Sequence, residues 1–226
     1  MKNFDAVLFD CDGVLVDSEP ITNGLLRDML AEQGWHLTPE ACFQHFVGKA
    51  VMDEKLAIEA NTGKPLTEDW MISFRARRNA ALEARLQAIP NIHTAIKQIY
   101  AKFEGRIACA SGADRLKVEL QLAKVALMPY FEGRIFSGHE MPRSKPAPDV
   151  YLAAAQALRV DPSRCAVVED TVTGVKAGVA AGCTVFAYTP NGDELALLAA
   201  GASQAFSDML HLPSLLSQKM AQSVID

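Results

Sequence analysis

Two pairs of carboxylates stand out by where they fall. Asp10 and Asp12 lie in Phe9-Asp10-Cys11-Asp12-Gly13, and Glu169 and Asp170 are adjacent far downstream. Each pair follows a short apolar run, Ala6-Val7-Leu8-Phe9 and Cys165-Ala166-Val167-Val168. Such runs, bounded by turn residues, read as buried parallel strands. Acids just past the ends of these strands occupy the crevice where open α/β sheets bind ligands. Two acid pairs converging there repel unless a cation lies between them. The donors on offer are hard oxygens, which suit Mg²⁺.

The rest of the chain supplies the scaffold those acids need. From about residue 92 onward, strand and helix alternate. Helices are expected over 92–102, 114–126, 148–158, 173–181 and 193–200. Strands are expected over 106–111, 133–138, 165–169, 184–188 and 205–206. Pro148 opens its helix, where the missing N–H is harmless. In 114–126 the apolar face is read as Leu116, Leu120 and Ala123. This rhythm predicts an α/β fold with a doubly wound parallel sheet.

Residues 17–88 break the rhythm. They carry no strand pattern and read as helices over 19–33, 39–46, 52–61 and 67–86. The expected organisation is therefore a catalytic core from 1–16 and 89–226, interrupted by a helical cap from 17–88 that serves as a lid. On the last cap helix Met71, Phe74 and Leu82 form an apolar stripe that includes Arg78. Downstream, Gly174, Gly178 and Gly182 recur every four residues and read as a smooth helix face against the sheet.

Composition excludes several classes. The chain has 226 residues, half of them hydrophobic, enough for a sizeable core. Its formal charge of −5 argues against a nucleic-acid surface. The five cysteines are odd in number and lack CxxC spacing, so buried free thiols in a reducing cytoplasm are expected. Too few apolar residues precede Asp10 for a signal peptide, and no apolar run approaches the roughly 18 residues of a membrane span.

Four motifs in order carry a resemblance that spans essentially the whole chain. They are Asp10-x-Asp12-Gly13-x-Leu15-x-Asp17-Ser18, Ser111 at the end of the second core strand, Lys145 in Arg-Ser-Lys-Pro-Ala-Pro-Asp, and Glu169-Asp170. Together they resemble the haloacid dehalogenase superfamily, in its phosphatase branch with a helical cap. The resemblance implies a Rossmann-like core and hydrolysis of a small phosphate ester through an aspartyl-phosphate. It makes Asp10 the nucleophile, and Asp12 the acid that protonates the leaving oxygen and then the base that activates water. Ser111 and Gly112 would bind phosphate oxygens, and Lys145 would neutralise charge between phosphate and Asp10. Mg²⁺ would be held by Asp10, the backbone carbonyl of Asp12 and Asp170, with Glu169 bound directly or through water. Lys49, Arg75 and Arg78 are the cap candidates for substrate contact. Lys49 follows Phe46-Val47-Gly48, which resembles the substrate loop of related caps.

The alternative activity is a phosphosugar mutase of the β-phosphoglucomutase type. The segment after the first motif, Val16-Asp17-Ser18-Glu19-Pro20-Ile21-Thr22, lacks the histidine usual in those mutases. Dehalogenases and phosphonate-cleaving relatives typically lack the acid corresponding to Asp12. The 135–146 segment is similar to 6-phosphogluconate phosphatase relatives. The expected partner is a small-molecule phosphate ester, with neither nucleic acid nor membrane, and the expected assembly is a monomer or weak homodimer in the cytoplasm.

Overall fold

The structure, a computed structural model, describes residues 4–47, 49, 51–192 and 194–217. The first strand, β1 (Ala6–Phe9), is followed by four helices: α1 (Glu19–Glu32), α2 (Pro39–Phe46), α3 (Lys55–Thr62) and α4 (Glu68–Arg85). Then come α5 (Ile92–Lys102), β2 (Ile107–Ser111), α6 (Arg115–Lys124), the short α7 (Met128–Phe131), β3 (Ile135–Ser137) and α8 (Asp149–Ala157). The described residues end with β4 (Cys165–Glu169), α9 (Val172–Ala180), β5 (Thr184–Tyr188), α10 (Glu194–Ala199), β6 (Gln204–Phe206) and α11 (Leu212–Leu215). Gly48 of the expected cap loop and Asp193, the expected first residue of the helix before β6, lie outside the described residues.

Among the described residues six strands join one parallel sheet in the order β3-β2-β1-β4-β5-β6. The order reverses at β1, so the crevice beyond β1, β2 and β4 is the switch point of a doubly wound sheet. Every residue of β1, β2, β4 and β5 is buried. That is why these strands read as unbroken apolar runs rather than alternating ones. A cluster including Leu8, Ala110, Tyr151, Val167, Val175 and Val185 fills the space between the sheet and its helices. The register sets Phe9 beside Cys109 on one side and Val168 on the other. The Asp10 N–H continues the ladder to the Val168 carbonyl at 3.0 Å. Asp10, Ser111 and Glu169 therefore emerge at one end of three adjacent strands.

The described residues divide into two compact units, one up to Val16 and from Ala88 onward, the other Asp17–Gln87. In the first, Val16 bridges Ala88 and the Ile89 N–H donates to the Leu15 carbonyl at 3.1 Å. The second unit is helical, with its own core of Leu26, Met29, Leu30, Phe46, Met71 and Phe74 among others. Fully burying each leucine there contributes about 1.5–3 kcal/mol. Thr38 and Thr67 cap α2 and α4 through side-chain oxygens that accept from Ala41 and Trp70 N–H at 3.1 and 3.2 Å. The helix expected over 52–61 is instead a 3₁₀ turn, Val51–Glu54, followed by α3. The break falls at Glu54, whose carboxylate is drawn back to Lys49 at 2.9 Å and His45 at 3.0 Å.

The face expected for α6 is corrected. Leu116 is 74% exposed, and the inward side chains are Lys117, Val118, Gln121 and Leu122. Two of these are polar because that face meets Asp12 as well as the core.

Candidate active site

Beyond β1 the backbone turns at once. Gly13 N–H donates to the Val16 carbonyl at 2.9 Å, and Leu15 and Val16 N–H donate to the Cys11 carbonyl at 2.9 and 3.1 Å. Gly13 sits at φ +75°, and a β-carbon there would fall 1.9 Å from Asp170 Oδ2. Glycine is thus required twice over, for the left-handed turn and for the approach of Asp170.

Asp10 is 7% exposed and accepts from Lys145 Nζ at 2.6 Å. The same ammonium donates to Glu169 Oε1 at 2.7 Å. Glu169 is fully buried and takes five donors. Lys145 and Tyr151 Oη meet Oε1, while Asp170 N, Thr171 N and Thr171 Oγ1 meet Oε2. Lys145 also lies 4.8 Å from the centre of the Tyr151 ring, a cation–π distance. One oxygen from each of Asp10, Glu169 and Asp170 lies within 4.8 Å of the others.

These contacts set the charge states. Burial pushes the Asp10 carboxyl up to about 7; Lys145 opposes the rise, while the charges of Glu169 and Asp12 add to it. Burial also works against ionised Glu169, but Lys145 and the hydrogen bonds outweigh it, so that carboxyl lies below its usual range. Lys145 loses hydration on burial, yet Asp10 and Glu169 more than compensate and raise it well above an ordinary lysine. The site therefore holds a firm cation against two acids, with a third acid alongside.

The Asp12 carboxylate makes a separate set of contacts. Lys117 Nζ donates to Oδ1 and Oδ2 at 2.8 and 2.9 Å, and Gln121 Nε2 donates to Oδ1 at 2.7 Å. Its carboxylate lies outside the three-acid cluster, so any share in a metal site falls to its backbone. Cys11, between the two aspartates, is fully buried and donates its S–H to Gln121 Oε1 at 3.4 Å. At the end of β2, Ser111 Oγ accepts from Ala113 N–H at 3.1 Å, which leaves its own O–H to donate. The Ser111–Gly112 loop runs against Gly138, where a β-carbon would fall 3.2 Å from Gly112 Cα.

A family model for haloacid dehalogenase-like hydrolases matches residues 4–182. The chain belongs to this family. The hydrolase is 31% identical to 6-phosphogluconate phosphatase of Escherichia coli, over 83% of its own length and 84% of that protein's. Among solved structures it is similar to a haloacid dehalogenase-like protein from Agrobacterium tumefaciens, with 30% identity, a TM-score of 0.82, and coverage of 95% and 98% of the two chains. It is also similar to a family hydrolase from Deinococcus radiodurans solved with bound phosphate and sodium, at 32% identity, a TM-score of 0.79 and 96% coverage of each.

The hydrolase thus brings Asp10, Lys145, Glu169 and Asp170 together in its core unit. The three cap candidates lie in the helical unit, each with partners there. Lys49 pairs with Glu54 and Arg75 with Glu68, both at 2.9 Å. Arg78, 8% exposed, donates to Asn79 Oδ1 at 2.9 and 3.1 Å and lies 5.9 Å from the Phe74 ring centre. Four residues that the sequence pattern did not single out also build the site: Lys117, Gln121, Tyr151 and Thr171. Thr171, rather than either acid, caps α9, accepting from Gly174 N–H at 3.1 Å. The glycine stripe divides into three uses. Gly178 lets α9 lie against Val185 and Val167, Gly182 turns the chain at φ +82°, and Gly174 makes room for the Glu169 carboxylate. Among the described residues no helix is long and apolar enough to cross a membrane.

Proposed function

We propose that this hydrolase is a Mg²⁺-dependent phosphatase of a small phosphorylated metabolite, a sugar phosphate or related acid, working through an aspartyl-phosphate. The observation that carries the reading is the triad of Asp10, Lys145 and Glu169 at the switch point, with Asp170 beside it. Phosphoryl transfer needs a positioned nucleophile and fixed countercharge more than elaborate bond chemistry. The relatives named phosphatases support the same class of reaction. Several of them act, by name, on carbohydrate phosphates, including a phosphorylated carbohydrates phosphatase and hexitol phosphatase B.

The donor set fits Mg²⁺, being three carboxylates with oxygens close enough to share one small cation. Asp10, Asp170 and the Asp12 carbonyl would hold it. Two carboxylate oxygens offer about four lone-pair sites, and those of Glu169 already accept from five donors. Glu169 would therefore serve mainly to anchor Lys145. When bound, the metal supplies positive charge against the phosphate dianion and the nucleophile.

The chain's own residues perform the transfer. An Asp10 carboxylate oxygen attacks phosphorus as the bond to the substrate oxygen breaks, and Asp12 gives its proton to that departing oxygen. Asp12 then takes a proton from water as the water attacks phosphorus, and phosphate leaves Asp10 as the free carboxylate. Lys145 balances charge at Asp10 throughout, while Ser111 O–H and the Gly112 N–H donate to phosphate oxygens. These core groups see features shared by every phosphate ester. Discrimination is accordingly assigned to the helical unit, with Lys49, Arg75 and Arg78 as its candidates.

A phosphate-release screen over hexose and hexitol phosphates, 6-phosphogluconate, phosphoglycolate and nucleotides tests the proposal. Release should require added Mg²⁺ and stop in excess chelator. Undiminished turnover in chelator would overturn the metal assignment, and no release from any ester would overturn the phosphatase reading.

A further inference from the structure

We propose that Lys117 and Gln121 of α6 are positioning residues that aim the Asp12 carboxylate for proton transfer. The inference rests on the reading of Asp12 as the acid and base of the reaction.

The turn after β1 fixes the Asp12 backbone through its bridge to Val16, but a backbone turn by itself does not remove a side chain's torsional freedom. Three N–H···O contacts remove that freedom, two from Lys117 and one from Gln121. The Lys117 side chain is 9% exposed and that of Asp12 17%, so water competes weakly for this pair. Gln121 is fully buried, and its amide orientation follows from its neighbours, since Nε2 meets Asp12 while Oε1 accepts from Cys11. The backbone of Lys117 is fixed as well, its N–H donating to the Asp114 side chain that caps α6 at 2.9 Å. That cap comes three residues after Ser111. One helix thus ties the proposed phosphate loop to the proposed proton donor.

A purely structural role explains this arrangement poorly. Burying lysine and glutamine beside Val118 and Leu122 carries a desolvation cost that apolar residues would avoid. The two polar residues stand one helical turn apart and converge on one carboxylate of the first motif, which gives the cost a purpose.

The test is single-turnover release of the leaving group at saturating substrate. It compares an aryl phosphate, whose phenolate departs without much help, with an alkyl phosphate, whose alkoxide needs a proton. Lys117→Met and Gln121→Leu should each slow alkyl release by about 10²-fold, the scale of a misplaced catalytic group. Aryl release and substrate KM should change far less. Lys117→Arg, which can still pair with both oxygens, should restore much of the rate. In an Asp12→Asn background, Lys117→Met should add nothing. If Lys117→Met slows both esters alike, or its effect adds in full to that of Asp12→Asn, the inference is overturned while the acid/base reading stands. If Asp12→Asn itself spares alkyl release, the acid/base reading falls and this inference with it. Gln121→Leu introduces no charge, so it tests the same contact should Lys117→Met fold poorly.

Discussion

Gly174→Ala is the most informative single-atom change in the site. A β-carbon at 174 would lie 1.7 Å from Glu169 Oε1, 1.9 Å from its Cδ and 2.2 Å from Oε2. Carbon contacts settle near 3.5 Å, so helix and carboxylate must part by about 2 Å. If Glu169 moves, Oε1 leaves Lys145 and Tyr151, each now at 2.7 Å. Hydrogen bonds to charged groups contribute about 1.5–3 kcal/mol each, so two lost bonds cost about 3–6 kcal/mol. Alanine returns about 1 kcal/mol through helix propensity, leaving a net loss of about 2–5 kcal/mol. If α9 moves instead, it opens a gap under Gly178, where a β-carbon would lie 2.7 Å from Val185 Cγ2, and strains the Thr171 cap. Either route is costly.

Two control variants separate this effect from the general effect of alanine. Gly24→Ala in α1 meets nothing within 4 Å and should stabilise by about 1 kcal/mol. Gly178→Ala should cost about 1–3 kcal/mol of overpacking before the helix-propensity gain and keep metal-dependent activity. Urea unfolding with the metal chelated gives the stabilities, and phosphate release gives the activities. Gly174→Ala alone should lose stability and activity together, since Glu169 would no longer hold Lys145 against Asp10. A Gly174→Ala protein as stable and as active as the parent would refute the reasoning.

Other expectations follow from the same contacts. Lys145→Met leaves Asp10 and Glu169 buried without their shared cation, which should cost about 3–5 kcal/mol; added Mg²⁺ should recover part of that loss in thermal melts, though not the activity. Asp10→Asn should stop phosphoenzyme formation, whereas Asp12→Asn should retain the residue that is phosphorylated and slow turnover by about 10²–10⁴-fold; mass spectrometry of trapped phosphoenzyme distinguishes the two. Lys49→Ala should change relative kcat/KM among natural phosphates more than hydrolysis of a small aryl ester, and a uniform fall across substrates would count against a specificity role.

The acids were legible in the sequence because they end apolar runs, and a buried parallel strand leaves few other places for a carboxylate to go. β1, β4 and β5 fall where those runs predict. The partners of the acids were much less legible. Lys145 stands in a proline-flanked loop with no periodic signal, and only the resemblance singled it out. On α6 hydrophobic periodicity misled, because the helix turns Lys117 and Gln121 inward and leaves Leu116 in solvent. Periodicity assumes that the inner face is apolar, and it fails where that face meets a charged side chain. The available clue was a Lys and a Gln four apart, beside Val118 and Leu122 on an otherwise apolar stripe.

Glycines encode the remaining part of the site, which is its space. Gly13 leaves room for Asp170 Oδ2 and Gly174 for the Glu169 carboxylate, at distances no β-carbon tolerates. The first lies three residues after Asp10 and the second five after Glu169, so each strand-end acid pair has a glycine in the segment that follows it. Carboxylates repel one another, and their charge alone would spread the cluster apart. Its compactness instead comes from Gly13, which lets the turn after β1 meet Asp170, from Gly174, which leaves room for the Glu169 carboxylate against α9, and from Lys145, which bridges Asp10 and Glu169. Acid identity supplies the donors. Close approach of the backbone makes them a single site, and in this chain that approach depends on positions where a side chain is absent.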